Sequence, residues 1–355
     1  MKPGMQQDII GMELSSLEAL FQAQGWERFR ARQVFHNLHN RLTDDFHEMT
    51  DLRKELREQL ADHFELHQPQ VRRRTAASDG TIKYLFALRD GETVETVYIP
   101  EERRATLCIS TQVGCSFRCR FCLTATLGFK RNLSSGEIVG QVRAVMQDMS
   151  PGIHTSSRLN LVLMGMGEPL LNYDHVLEAV RVMADPHGLA ISPRRMTLST
   201  AGMVPRIYDL GREKIRPHLA ISLCATTEEQ RTALMPHNKK YSLKGLMKAC
   251  REYPLPPRER LTFEYVLLDG VNDTDADARR LVKLLNGIRA KVNLLALNES
   301  EELPFRSSST ERVHHFQEYL ASKHLSVFVR KPRGLDILAA CGQLKREVEP
   351  HHIIR

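Results

Sequence analysis

From Ala105 to Leu297 the chain repeats one pattern: a short run rich in β-branched and other apolar residues, then an amphipathic stretch with helical spacing. The short runs are Ala105–Thr111, Leu159–Met164, Met196–Thr200, Leu219–Leu223, Leu261–Leu268 and Lys291–Leu297. Six strands joined by helical crossovers pair in parallel, because each crossover returns the chain to the same end of the sheet. The expected fold class is α/β, with the parallel sheet curled into a partial barrel of six strand–helix units. An open, doubly wound sheet stays possible, since strand order is not readable from one sequence. The clearest helix, Glu137–Met149, places Ile138, Val142, Val145, Met146 and Met149 on one face, and Ser134 with Glu137 fits a capping box at its start.

The rest of the chain reads differently. Residues 1 to 67 look helical: Leu17, Leu20 and Phe21 keep helical spacing, as do Val34, Phe35 and Leu38, then Leu52, Leu56 and Leu60. From Val71 to Pro100 short runs are broken at Ser78–Gly80 and Arg89–Gly91, which predicts a small β-meander. The expected organisation is a helical accessory domain at 1–67, a β extension at 68–100 and a barrel at 101–355 with a C-terminal cysteine segment. Lysine and arginine exceed aspartate and glutamate by 50 to 43, a net charge of +7. That suits a polyanionic partner but also an ordinary basic enzyme. The first residues lack a signal-peptide core, and no apolar run approaches the ~18 residues of a membrane span. A cytoplasmic, membrane-free protein is expected, in which the seven cysteines serve metal binding or catalysis better than a disulfide framework.

Cys115, Cys119 and Cys122 form a C-x3-C-x2-C spacing directly after the first barrel strand. Three thiolates on one tight loop can hold three irons of a [4Fe–4S] cluster and leave the fourth iron open to a ligand. The competing reading is zinc, with Cys108 or a histidine as fourth ligand, but zinc sites use paired C-x2-C or C-x2-H units and no second pair lies nearby.

With this loop the chain resembles the radical S-adenosylmethionine superfamily, and within it the adenine-methylating branch, the RlmN and Cfr RNA methyltransferases. The resemblance is carried by ATLCISTQVGC at Ala105–Cys115, GFKRNL at Gly128–Leu133, GMGEPL at Gly165–Leu170, TLST at Thr197–Thr200 and AACGQL at Ala339–Leu344. It covers roughly residues 95 to 344, and the helical N-terminus also resembles that family's accessory domain. It implies a [4Fe–4S] cluster on Cys115, Cys119 and Cys122, and S-adenosylmethionine held by Gly167, Glu168, Ser199, Ser222, Leu223, Cys224 and Asn298. All of these lie at the C-terminal ends of predicted strands, where ligands of a parallel barrel gather. Cys224 stands where the family often carries His or Asn, so a contact there would come from backbone. Glu299 and Ser300 follow Asn298 in place of the usual Pro-Phe.

Adenine C2 and C8 are electron-poor ring carbons, and simple attack on a sulfonium methyl fails there. The resemblance implies a radical route that uses two S-adenosylmethionines per turnover. The Cys341 thiolate takes a methyl group from the first by displacement. Reductive cleavage of the second makes a radical that activates this methyl toward the base. Glu95 accepts the ring proton, and Cys108 then attacks the Cys341 sulfur, closing a transient disulfide and freeing the product. Taken by residue type alone, Cys108 and Cys341 would be packing residues, like Cys250, and Glu95 a solvated strand residue. Glycines at 334 and 342 suggest a mobile Cys341 segment. The resemblance implies 23S ribosomal RNA and probable tRNA substrates, C2 rather than C8 chemistry, and a low-potential donor such as flavodoxin or ferredoxin. Candidate contacts to the RNA backbone are Arg28, Arg30 and Arg32, Arg72 to Arg74, Lys130, Arg131, Lys331 and Arg333. A non-catalytic RNA-binding protein with a structural metal is the alternative from another class.

Overall fold

The computed structural model describes residues 7–149 and 159–345. The N-terminal segment contains helices α1 (Leu14–Ala23), α2 (Arg28–His39) and α3 (Lys54–His63). Two short strands, β1 (Gln7–Asp8) and β2 (Phe64–Glu65), pair in parallel and tie its ends together. The sequence pattern predicts helices alone here; two-residue strands leave no periodicity to read. Leu17, Phe21, Val34, Phe35, Leu38 and Leu60 are fully buried, as their spacing requires, and Trp26 packs edge-on against Phe21 at 5.1 Å.

A meander follows: β3 (Gln70–Ala76), β4 (Ile82–Ala87) and β5 (Thr93–Pro100). Strand β6 (Ala105–Cys108) then starts the repeated unit. A hairpin of β7 (Gln112–Gly114) and β8 (Phe129–Asn132) encloses the cysteine loop and the short α4 (Leu123–Thr126). The order continues α5 (Ser135–Asp148), β9 (Leu159–Leu163), α6 (Tyr173–Ala184), β10 (Met196–Thr200), α7 (Val204–Arg212), β11 (His218–Ser222), α8 (Glu228–Leu234), α9 (Leu243–Glu252), β12 (Leu261–Leu267), α10 (Asp275–Leu285), β13 (Ala290–Ala296), α11 (Thr310–Ser322) and β14 (Ser326–Arg330). Helix α5 begins with the expected capping box, Ser134 Oγ accepting from Glu137 N at 3.1 Å and Glu137 Oε2 from Ser134 N at 2.9 Å, a motif worth about 1 kcal/mol.

Ten strands form one sheet in the order β14-β13-β12-β11-β10-β9-β6-β5-β4-β3. The neighbours from β6 to β14 are all parallel, and the meander joins antiparallel through β5 and β6. Strand order never reverses, so right-handed crossovers put the helices that join its parallel strands on one face. A doubly wound sheet needs a reversal and is excluded. With helices on one side only, the sheet buries its other face by curling, which gives the partial barrel. The six expected units are present, and β14 adds a seventh parallel strand. Outward residues such as Leu198, Ile221, Phe263 and Leu294 are buried in one apolar cluster with the helices and the N-terminal domain. Arg143 of α5, fully buried, crosses to that domain and donates to Thr43 O and Asp44 Oδ1. No helix among the described residues is long and apolar enough to cross a membrane.

Candidate active site

Gly114 and Gly128 close the base of the cysteine loop, where Cys115 N donates to Gly128 O at 3.1 Å. Cys122 N donates back to Cys119 O at 3.2 Å, and Arg120 N is anchored on Leu234 O of α8 at 2.9 Å. Phe117, between the first two cysteines, stacks on His237 with ring centroids 4.2 Å apart. Burial pushes the Cys115 thiol up to about 12 and Cys119 well above its usual range, and neighbouring thiols of the same loop add to both shifts. Three thiols gathered on one short loop fit a cluster. Among the described residues no three His, Cys, Asp or Glu side chains converge as ligands of a single ion do. A cubane spreads three such ligands over three irons.

Beside the loop, the turn after β9 presses against β7. Gly167 has φ +104°, and a Cβ there would stand 2.5 Å from Gln112 Cβ. Gln112 Oε1 accepts from Glu168 N at 2.8 Å. The Glu168 carboxylate is 3% exposed and accepts from Leu170 N at 3.1 Å and Ala201 N at 2.8 Å. Burial pushes it up to about 7, despite these hydrogen bonds. Such a group takes its charge when a cation arrives, and the ammonium of an amino acid is such a cation. Gly167→Ala forces a left-handed alanine into Gln112, which costs about 1–3 kcal/mol. We expect calorimetry to show weaker S-adenosylmethionine binding in this variant, with iron content unchanged.

The other implied residues sit at neighbouring strand ends. Ser199 Oγ and Ser222 Oγ lie 3.3 Å apart on β10 and β11. Leu223 N donates to Glu264 O, and Cys224, buried with φ +53°, turns its carbonyl to Asn272 Nδ2 at 2.8 Å. Its thiol points to Glu264 O at 3.9 Å. Asn298 reaches elsewhere: its Nδ2 donates to Cys341 O at 3.0 Å.

The C-terminal segment lies across this site. Leu123 N donates to Gly342 O at 2.8 Å and Thr124 Oγ1 to Leu344 O at 2.7 Å, so the residues after Cys122 hold the residues after Cys341. Cys341 is exposed and Cys108 buried, and all seven cysteines are free. Burial raises the Cys108 thiol above its normal range, and the charge of Cys341 adds to the shift. Glu95 is 3% exposed on β5, its N donating to Met166 Sδ and its carbonyl accepting from Ser110 Oγ. It is not the solvated strand residue its type suggests.

Two groups escaped sequence reading. Arg231 of α8 is fully buried and donates to Ala201 O, Ser222 O and Asn238 Oδ1. His237 meets the same Ala201 carbonyl through Nε2 at 2.8 Å, and burial, with Arg231 beside it, lowers its pKa to about 4. Several proposed RNA contacts already have partners: Arg28 and Arg32 share Glu18, Arg74 meets Asp148, and Arg131 holds both Asp90 and Glu137. A polyanion would have to compete for them.

This fold, with three cysteines on the loop after its first parallel strand, defines a class: radical S-adenosylmethionine enzymes. The Radical SAM superfamily model matches residues 109–282, and the ribosomal RNA large subunit methyltransferase N-terminal domain matches residues 7–66. A crystal structure of a radical SAM methyltransferase from Sphaerobacter thermophilus superposes with a TM-score of 0.90 at 42% identity, covering 96% of this chain and 99% of that one. The dual-specificity RNA methyltransferase RlmN of Syntrophobacter fumaroxidans is 52% identical over 335 residues, 94% of this chain and 96% of that protein. The RlmN of Geobacter sulfurreducens is 49% identical, over 96% and 93%. The chain belongs to the RlmN family of dual-specificity RNA methyltransferases.

Proposed function

We propose that this protein methylates C2 of adenine in 23S ribosomal RNA and in tRNA, in the cytoplasm, with electrons from a flavodoxin or ferredoxin. The observation that carries this reading is the double hydrogen bond between the cysteine loop and the Cys341 segment, Leu123 N to Gly342 O and Thr124 Oγ1 to Leu344 O. A generic radical enzyme has no reason to lay a second reactive cysteine over its cluster loop. Cys115, Cys119 and Cys122 would hold the [4Fe–4S] cluster, with Gly167, Glu168, Ser199, Ser222, Leu223, Cys224 and Asn298 around S-adenosylmethionine. When bound, these groups supply the carbon radical that activates a methyl group no base could attack. The chain's own residues do the rest. Cys341, on the segment held against the cysteine loop, carries the methyl as a thioether. Glu95 takes the ring proton, and the Cys108 thiol attacks the Cys341 sulfur: the Cys108–Cys341 disulfide forms, the bond from that sulfur to the bridging carbon breaks, and that carbon takes up the proton the thiol gives up, leaving as the product's methyl group. The target adenosine must be unpaired, since its ring edge cannot reach a buried site from within a stack.

The test is mass spectrometry of adenosine nucleosides from RNA incubated anaerobically with the reconstituted enzyme, S-adenosylmethionine and a reductant. We expect 2-methyladenosine from both RNA classes. Exclusive 8-methyladenosine would reassign the chain to Cfr-type chemistry, and absence of methylation by an iron-loaded protein would overturn the reading.

A further inference from the structure

The meander carries a lysine that the reaction scheme leaves without a task. Lys83 of β4 lies opposite Val97 of β5, which lies opposite Cys108 of β6. Residues directly opposite on paired strands share a face, so Lys83 stands on the face that carries Cys108. Its Nζ is 2.9 Å from Glu95 Oε1 and donates to Leu338 O at 3.3 Å. The other oxygen, Glu95 Oε2, accepts from Lys345 N at 2.7 Å. Leu338 and Lys345 bracket Cys341, so one ion pair grips the thiol's segment on both sides. Leu338 has φ +52°, a conformation that costs a leucine on the order of 1 kcal/mol or more and that persists only between firm anchors. Upstream, Ser78 N donates to Asp336 at 2.9 Å and Gly334 N to Asp79 at 3.1 Å, docking the same segment on the meander.

The ion pair also bears on charge. A cation beside a buried carboxylate favours its ionised form, and Lys83, with 18% of its side chain exposed, supplies one to Glu95. Arg73 and Asp336, of opposite sign, line the same cavity of about 270 Å³ between the meander and Leu338. Lys345 contributes only its backbone N–H, its ammonium being paired with Glu302.

We propose that Lys83 is a positioning residue for the reaction, seating the Cys341 segment and holding Glu95 in its ionised form. The inference rests on the roles given above to Cys341 and Glu95. The experiment compares Lys83→Met and Lys83→Arg with the wild type in the full-length, reconstituted protein. Lys83→Met should keep its iron, while hydrogen exchange across Ala339–Lys345 quickens about tenfold or more. A base must be ionised to act, and loss of the cation favours the neutral carboxyl. The acid limb of the RNA methylation pH profile should therefore move up by about one unit or more. Lys83→Arg should restore both. Wild-type exchange and pH profile in Lys83→Met would overturn the proposal. So would an arginine variant that fails like the methionine one, or loss of iron, since Lys83 has no part in holding the cluster. Glu95→Gln separates the two layers. Normal turnover there would sink the general-base role of Glu95, while the exchange data would still decide whether Lys83 seats the segment.

Discussion

Cys108→Ala is expected to leave RNA covalently attached to the protein. In this variant Cys341 stays exposed, able to take the methyl group, and its segment is held by Leu123, Thr124, Asn298 and Glu95, none of which depends on Cys108. Methylation of Cys341 and addition to the base should proceed; release should not. The sulfur of Cys341 then bonds to a carbon carried on adenine, and the Cys108 thiol is gone. Gel electrophoresis under denaturing conditions should show a protein–RNA band that disappears in the Cys108→Ala, Cys341→Ala double variant. Cys341→Ala alone should keep its iron and lose methylation to background, because no thiolate remains to take the methyl. In the wild type, burial holds Cys108 as a neutral, slowly reacting thiol, so decay of the transient adduct should quicken as pH rises. Normal turnover by Cys108→Ala would make Cys108 a packing residue and end the two-cysteine scheme for this chain.

How far the sequence alone reached can be judged from particular elements. The barrel strands were legible because fully covered strands read as apolar runs between turns; Met196–Thr200 matches β10 at both ends, and the capping box fixed the start of α5. Strand β14 was missed because none of its five residues is buried and its central Phe328 is 53% exposed, so it lacks the signature of a covered strand. The β7–β8 hairpin hid inside the cysteine motif, where residue types are set by chemistry and not by propensity. The cysteine spacing by itself argued for a cluster. The proposed pairing of Cys108 with Cys341 is legible in no spacing; only the family resemblance implies it. Lys83, Arg231 and His237 were invisible for a related reason: each acts on backbone carbonyls or on partners far away in sequence, and such contacts leave no local pattern. The meander, read as an extension from its turns, carries both Glu95 and the docking points of the C-terminal segment.

Replacing Cys115, Cys119 or Cys122 by alanine should abolish stable iron loading and all formation of 5′-deoxyadenosine. The loop makes the three cysteines unequal in structure but equal in this outcome. Cys115 is fixed at the hairpin mouth by Gly128, Cys119 lies beside the Arg120–Leu234 anchor, and Cys122 caps α4. Each would serve a different iron, so none can stand in for another, and two remaining thiolates hold a cubane weakly. The fold should survive, because the loop's backbone anchors use Gly128 O, Leu234 O and Gly342 O rather than any thiol. Circular dichroism of each variant should therefore match the wild-type apoprotein, while iron analysis and visible absorption fall to background. The raised thiols of Cys115 and Cys119 add a pH signature. Buried and unliganded, they stay protonated, and binding iron must expel those protons. Loading of the wild type should become tighter as pH rises and weaken as it falls. A full cluster in any one alanine variant would contradict the ligand assignment, and zinc with the same stoichiometry and no colour in the anaerobically reconstituted wild type would overturn the cluster itself.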